Sequence, residues 1–183
     1  NVKFLLEKHA EKMKKKAADA DADENDEGAR HKAEVVNRVS KRGTAVHGAA
    51  CGGYTEVVSF LIDAGADVEA TDYGEWTPLF SASLGGHTDV VKLLMKHGAD
   101  VEARDDEQGT ALQVAARNKQ LDAAKVLLEI GGADINTVDA LLWTPLIAAS
   151  FAGDDAMVSY FLFDQDADRH VVNNKGYSPL YAE

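Results

Sequence analysis

The sequence predicts an all-α solenoid, a row of similar helix-turn-helix units that bury their apolar faces only against one another. Three observations predict it. A short motif, Thr44-Ala45-Val46-His47, returns as Thr77-Pro78-Leu79-Phe80, Thr110-Ala111-Leu112-Gln113, Thr144-Pro145-Leu146-Ile147 and Ser178-Pro179-Leu180-Tyr181, with starts 33, 33, 34 and 34 residues apart. A second landmark keeps step with it: Gly65-Ala66-Asp67-Val68, Gly98-Ala99-Asp100-Val101, Gly132-Ala133-Asp134-Ile135 and the degraded Asp166-Ala167-Asp168-Arg169. Apolar groups at helical spacing fill the interval, as in Val90, Val91, Leu93 and Leu94.

Each element of the unit has a local cause. The Thr77 hydroxyl suits a helix cap, and Pro78 suits the first helical position, where no N–H bond is needed. Alanines at 49, 50, 82, 115, 116, 148 and 149 let neighbouring first helices approach closely. Gly86 interrupts the chain before the second helix, and Gly98 tolerates the left-handed conformation that ends it. Val57, Val58, Phe60 and Leu61 repeat the second-helix pattern, as do Ala124, Val126, Leu127 and Leu128. Units three and four hold one extra residue before the Ala-Asp landmark. Gly131-Gly132 absorbs it in the third; Phe163-Asp164-Gln165-Asp166 replaces the glycine end in the fourth, where an irregular end is expected.

These motifs resemble the ankyrin family, whose signature is a period near 33 with a T-P-L-H-x-A motif, a β-turn and two helices per unit. The best copy is residues 77–105, and the resemblance covers residues 43–183. It implies helix-turn-helix units joined by β-hairpin-like loops. The array is expected over 33–183, as 33–65, 66–98, 99–132, 133–166 and a partial 167–183. Val2-Lys3-Phe4-Leu5-Leu6 is similar to Val91-Lys92-Leu93-Leu94-Met95, so 1–9 reads as the second helix of a preceding partial unit. Residues 10–32 read as a charged, low-complexity insert and are expected to be a mobile loop. Both ends fall within units, which suggests a piece of a longer protein.

Composition narrows the function. Apolar residues make up 45% and charged residues 27% of the 183, the balance of a globular protein. No apolar run is long enough to cross a membrane. The single cysteine, Cys51, excludes an internal disulfide framework and fits an intracellular, cytoplasmic setting, with a nuclear one still open. Residues 1–42 carry 11 Lys/Arg against 9 Asp/Glu, whereas residues 43–183 carry 8 against 22. Such an acidic body repels nucleic-acid phosphates and favours a partner with a basic surface. The other reading of the charge is a solvated surface with no steering role.

The resemblance implies binding through hairpin tips and the concave face of the first helices. The residue before each motif Thr or Ser is Gly43, Trp76, Gly109, Trp143 or Tyr177. The residue seven after the motif Thr, concave-facing in the family, is Cys51, Leu84, Arg117 or Phe151. Tips include Tyr73, Asp106, Glu107, Leu141 and Leu142. Trp76, Leu84, Trp143 and Phe151 are expected to line one apolar strip with Arg117 in its midst. Aromatic residues and Arg dominate interface energies, although tryptophans here also stiffen hairpins. Leu141-Leu142-Trp143 is unusual in a turn, which normally takes polar residues or glycine.

Other patterns are weaker. Asp23, Asn25, Glu27 and Glu34 match the ligand spacing of a calcium loop, with Gly28 at the sharp turn. Arg30 replaces the usual apolar residue, the flanks lack the helix pattern, and no second loop follows. Lys12-Met13-Lys14-Lys15-Lys16 reads as a solvated helix end, its field partly cancelled by the acids that follow. His47 and His87 are expected to bond loops rather than metal. Cys51, four residues after His47, shares a helical face with it. No phosphate loop, dinucleotide fingerprint or nucleophile elbow occurs, so neither catalysis nor a cofactor is expected. The reading is a protein–protein recognition array, monomeric or part of a longer chain. Its alternatives are a regulatory or targeting array of a larger enzyme or receptor and, more remotely, a calcium-responsive adaptor.

Overall fold

The computed structural model describes residues 34–179. The chain divides into Asn1–Val35 and Val36–Glu183, and only the second unit is treated below. The expected helix over 1–9, the insert over 10–32 and three of the calcium-loop residues, Asp23, Asn25 and Glu27, lie outside the described residues.

Helices pair along the chain: α1 (Ala45–Cys51) with α2 (Thr55–Asp63), α3 (Pro78–Gly85) with α4 (Thr88–Lys96), α5 (Ala111–Arg117) with α6 (Leu121–Glu129), and α7 (Pro145–Ala152) with α8 (Asp155–Ser159). First helices form one layer, α1 on α3, α3 on α5 and α5 on α7; α2, α4 and α6 form the second. Among the described residues no strand forms, and a lone antiparallel bridge joins Ser40 and Gly43. The fold is an all-α ankyrin-type solenoid.

Thr44, Thr77, Thr110 and Thr144 stand extended at the cap positions, and Thr144 Oγ1 accepts the Ile147 N–H at 3.1 Å. The Thr77 hydroxyl, expected to cap its helix, makes no cap bond and is buried without a partner among the described residues. Helix α3 ends at Gly86 (φ 71°), and the α4 turn closes at Gly98 (φ 92°); both conformations favour glycine. The seven alanines are all buried, so the first helices pack with little side chain between them. Phe80, Leu94, Leu112, Leu127, Leu146 and Phe161 fill the space between layers; full burial of such a side chain contributes about 1.5–3 kcal/mol.

The extra residue of units three and four has two solutions. In the third, Gly131 packs so tightly under Leu127 that a Cβ would lie 2.6 Å from its carbonyl oxygen. In the fourth, α8 is only five residues long and widens into a π-helical segment, Tyr160–Asp164. The irregular end is therefore a bulge that absorbs one residue while Tyr160 and Phe161 stay buried.

Candidate partner-binding face

The loops between helix pairs are short hairpins, each closed by one acid or amide five residues before the motif Thr or Ser. Asp72 Oδ1 accepts the Gly74 and Trp76 N–H groups at 2.9 and 3.1 Å, and Asp105 Oδ1 those of Glu107 and Gly109 at 3.0 and 2.7 Å. Asp139 Oδ1 accepts from Leu141 and Trp143 at 2.8 and 2.9 Å; Asn173 Oδ1 accepts from Lys175 and Tyr177 at 3.0 and 2.9 Å. The closed tips bond to one another. Asp106 N–H donates to Gly74 O (3.2 Å), Ala140 N–H to Glu107 O (2.9 Å) and Asn174 N–H to Leu141 O (3.2 Å), so the tips form one laced edge.

A second row of bonds spaces the units below the tips. Asn37 Oδ1, Glu69 Oε1, Glu102 Oε1 and Asn136 Oδ1 accept the N–H of Asp67, Asp100, Asp134 and Asp168 at 2.8–2.9 Å. Burial raises the Glu69 pKa above its ordinary value; the Asp100 N–H bond opposes this, and the nearby Asp100 and Asp67 charges add to it. The motif residue three after Thr links neighbours too. His47 Nδ1 lies 3.1 Å from Thr44 N and its Nε2 lies 2.8 Å from Trp76 O. Gln113 repeats this, accepting the Thr110 N–H and donating to Trp143 O. His47 is 2% exposed with both ring nitrogens engaged, so it forms no pair with the exposed Cys51. His87 Nε2 lies 2.9 Å from Cys51 O, also a loop bond. Among the described residues, no three His, Cys, Asp or Glu side chains gather as metal ligands, and no helix is long and apolar enough to cross a membrane.

On this frame the candidate residues separate into groups. Trp143, Phe151 and Tyr177 form an aromatic cluster, with ring centroids 5.2, 6.1 and 6.2 Å apart. Phe151 is 67% exposed, Tyr177 is also exposed, and Trp143 is half-buried against the core. The Arg117 guanidinium lies 5.9 Å from the Trp143 ring centre, and its Nη2 is 3.7 Å from Asp139 Oδ2. Leu141 and Leu142 are exposed on the adjoining tip, and Tyr73, Asp106 and Glu107 are exposed on earlier tips.

Trp76 and Leu84 are not in this cluster. Trp76 packs on Phe80 at 5.6 Å and donates its indole N–H to Asp105 Oδ2 at 3.2 Å; Leu84 is half-buried against the core. Of the expected strip, Trp76, Leu84 and Trp143 lie half-buried against the core, and Phe151, edge-on to Trp143, is exposed. Glu34 is exposed, with its three companion calcium-loop residues outside the described range. Sequence reading missed the turn closers Asp72, Asp105, Asp139 and Asn173. Their signal was available: an Asp or Asn five residues before the motif in four consecutive units.

Stacked helix pairs, a laced edge of tips and an exposed aromatic group define a helical repeat array of the kind that holds other proteins. The family described as ankyrin repeats (3 copies) matches residues 1–105, 46–139 and 112–182. The chain belongs to the ankyrin-repeat family, whose repeats are generally protein–protein interaction modules. It is also similar to protein phosphatase 1 regulatory subunit 12A: 54% identical over 44 residues to those of Mus musculus and Rattus norvegicus, and over 43 residues to that of Homo sapiens. Each match covers 24% of this chain and 4% of the relative, so the likeness is local.

Proposed function

We propose that the chain is a non-catalytic recognition array whose partner protein docks on the tips and first-helix face of its third to fifth units, taken as 99–132, 133–166 and 167–183. The observation that carries this is the exposed pair Phe151 and Tyr177 packed against the half-buried Trp143, beside Leu141 and Leu142. Exposed aromatics next to an apolar tip are costly to leave in water and are the residue types that dominate interfaces. The scaffold under them is bonded at every tip, so little entropy is lost on docking. The acidic body, 8 Lys/Arg against 22 Asp/Glu over 43–183, favours a partner with a basic surface, and the single cysteine fits an intracellular setting. The local likeness to a phosphatase regulatory subunit favours a second reading, a regulatory array within a larger enzyme assembly. Capture of a catalytic subunit as the stoichiometric partner distinguishes it from a free adaptor.

The test is affinity capture with the wild-type chain beside a Leu141→Ser/Phe151→Ala variant. Both residues are exposed, so the variant keeps its thermal midpoint, while the captured partner is lost by about tenfold or more. Equal capture by both proteins removes this face from the reading. Trp143→Ala is a poorer probe, because its half-buried ring also packs on the core.

A further inference from the structure

Trp76 and Trp143 occupy the same place in their hairpins but are held differently. The carboxylate of the following hairpin, Asp105, has two jobs: Oδ1 closes its own turn and Oδ2 accepts the Trp76 indole N–H. One repeat after Trp143 the corresponding residue is Asn173. Its Oδ1 is consumed by the Lys175 and Tyr177 N–H groups, which fixes the orientation of the amide and leaves only the NH2 for other bonds. An NH2 group donates and cannot accept an indole N–H. Asn173 Nδ2 is itself buried with no acceptor in a residue only 4% exposed, and among the described residues no bond from Trp143 Nε1 matches the one from Trp76 to Asp105. At the intervening hairpin, Asp139 Oδ2 faces Arg117 instead. The Arg117 guanidinium, more than half exposed, lies over the Trp143 ring, 5.9 Å from its centre, and faces Asp139 Oδ2 at 3.7 Å.

We infer that the aromatic cluster is an anchor for a carboxylate side chain of the partner, an Asp or Glu within a residue or two of an aromatic or aliphatic group. The carboxylate accepts from the Arg117 guanidinium and the Trp143 indole N–H, and its apolar neighbour lies on Phe151 and Tyr177. Charge-assisted bonds of this kind are the stronger ones, and a cation stacked on an indole is already oriented for them. Two of the eight Lys/Arg of the acidic 43–183 body lie at this junction: Arg117, which faces Asp139, and Lys119, which reaches Gly153 O at 3.2 Å beside Asp154 and Asp155. Long-range attraction of a basic partner and a local carboxylate anchor are therefore compatible. The inference rests on the recognition reading above and adds the chemistry of its central contact.

The test selects random displayed peptides on the full chain. The enriched peptides are then synthesised with each Glu or Asp and with Gln or Asn in its place. Enriched sequences are expected to carry an acid beside an aromatic or aliphatic residue. Removing that acid, or substituting Arg117→Gln, weakens binding about tenfold, and the acidic peptide alone moves the Trp143 indole N–H resonance. Asn173→Asp restores an internal acceptor for that N–H and weakens the same peptide; if it loosens the fifth unit, Arg117→Gln still decides. Peptides rich in Lys or Arg, or binding indifferent to Arg117, overturn the carboxylate anchor. If those peptides instead depend on Asp106, Glu107 or Leu141, the recognition reading stands. No selected binder overturns both.

Discussion

Leu142 is a bulky side chain held at φ 60°, in the left-handed region that L-residues other than Asn, Asp and Gly rarely adopt. Its place recurs around the array as Glu75 (φ 59°), Gln108 (φ 63°) and Gly176 (φ 82°), so the hairpin demands the conformation whatever the residue. A leucine there gains nothing from burial, since it stands exposed on the tip. Keeping a strained apolar group in water makes sense for a contact made only in the complex. Leu142→Asn is expected to raise stability by up to about 1 kcal/mol by relieving the strain, measured by denaturant unfolding, and to weaken the partner. A variant that loses stability, or binds unchanged, separates this residue from recognition.

At the scale of the element, the units are spaced by side chains that accept the neighbouring unit's Asp N–H, and the chain uses both amides and carboxylates there. Asn37 and Asn136 do the work without charge; Glu69 does it between Asp67 and Asp100. Its raised pKa means the folded state holds the Glu69 proton more tightly than the unfolded chain does. The associated stability is present below the unfolded carboxylate pKa and is lost as pH rises through the folded value. Glu69→Gln keeps an acceptor oxygen and removes the charge. It is expected to raise the unfolding free energy at neutral pH, by well under about 1 kcal/mol because the site is partly solvated. The gain over wild type should shrink as pH falls through the ordinary carboxylate range. A gain that persists in acid shows that the ionised Glu69 carboxylate is not its cause. The π-helical segment at Tyr160–Asp164 belongs to the same scale: one added residue is absorbed locally, and Tyr160 stays in place by donating to Glu129 at 2.8 Å.

For the whole molecule, stability is shared between neighbours, each first helix packing on the next, and the acidic charge belongs to no single unit. A basic partner is then expected to associate faster at low salt, with an on-rate that falls about tenfold between roughly 0.01 M and 0.15 M ionic strength while the off-rate changes less. Stopped-flow mixing measures both, and a salt-independent on-rate discards electrostatic steering. The sequence by itself determined the repeat, its period, the helix starts after Thr44, Thr77, Thr110 and Thr144, and the apolar faces, because each is a local consequence of residue type and spacing. It also marked Trp143 and Tyr177 as equivalent positions in successive units, and Phe151 as a concave-facing position of the unit that holds Trp143. Only the tertiary structure decided that the Trp76 indole N–H is bonded to the next hairpin's Asp105 while no matching bond joins Trp143 to Asn173 among the described residues. That difference lies in which atom of a residue about thirty positions away, Asp105 or Asn173, remains available once its own turn is closed. A pattern read along the chain records the residue; the free lone pair appears only when the next unit is stacked against it.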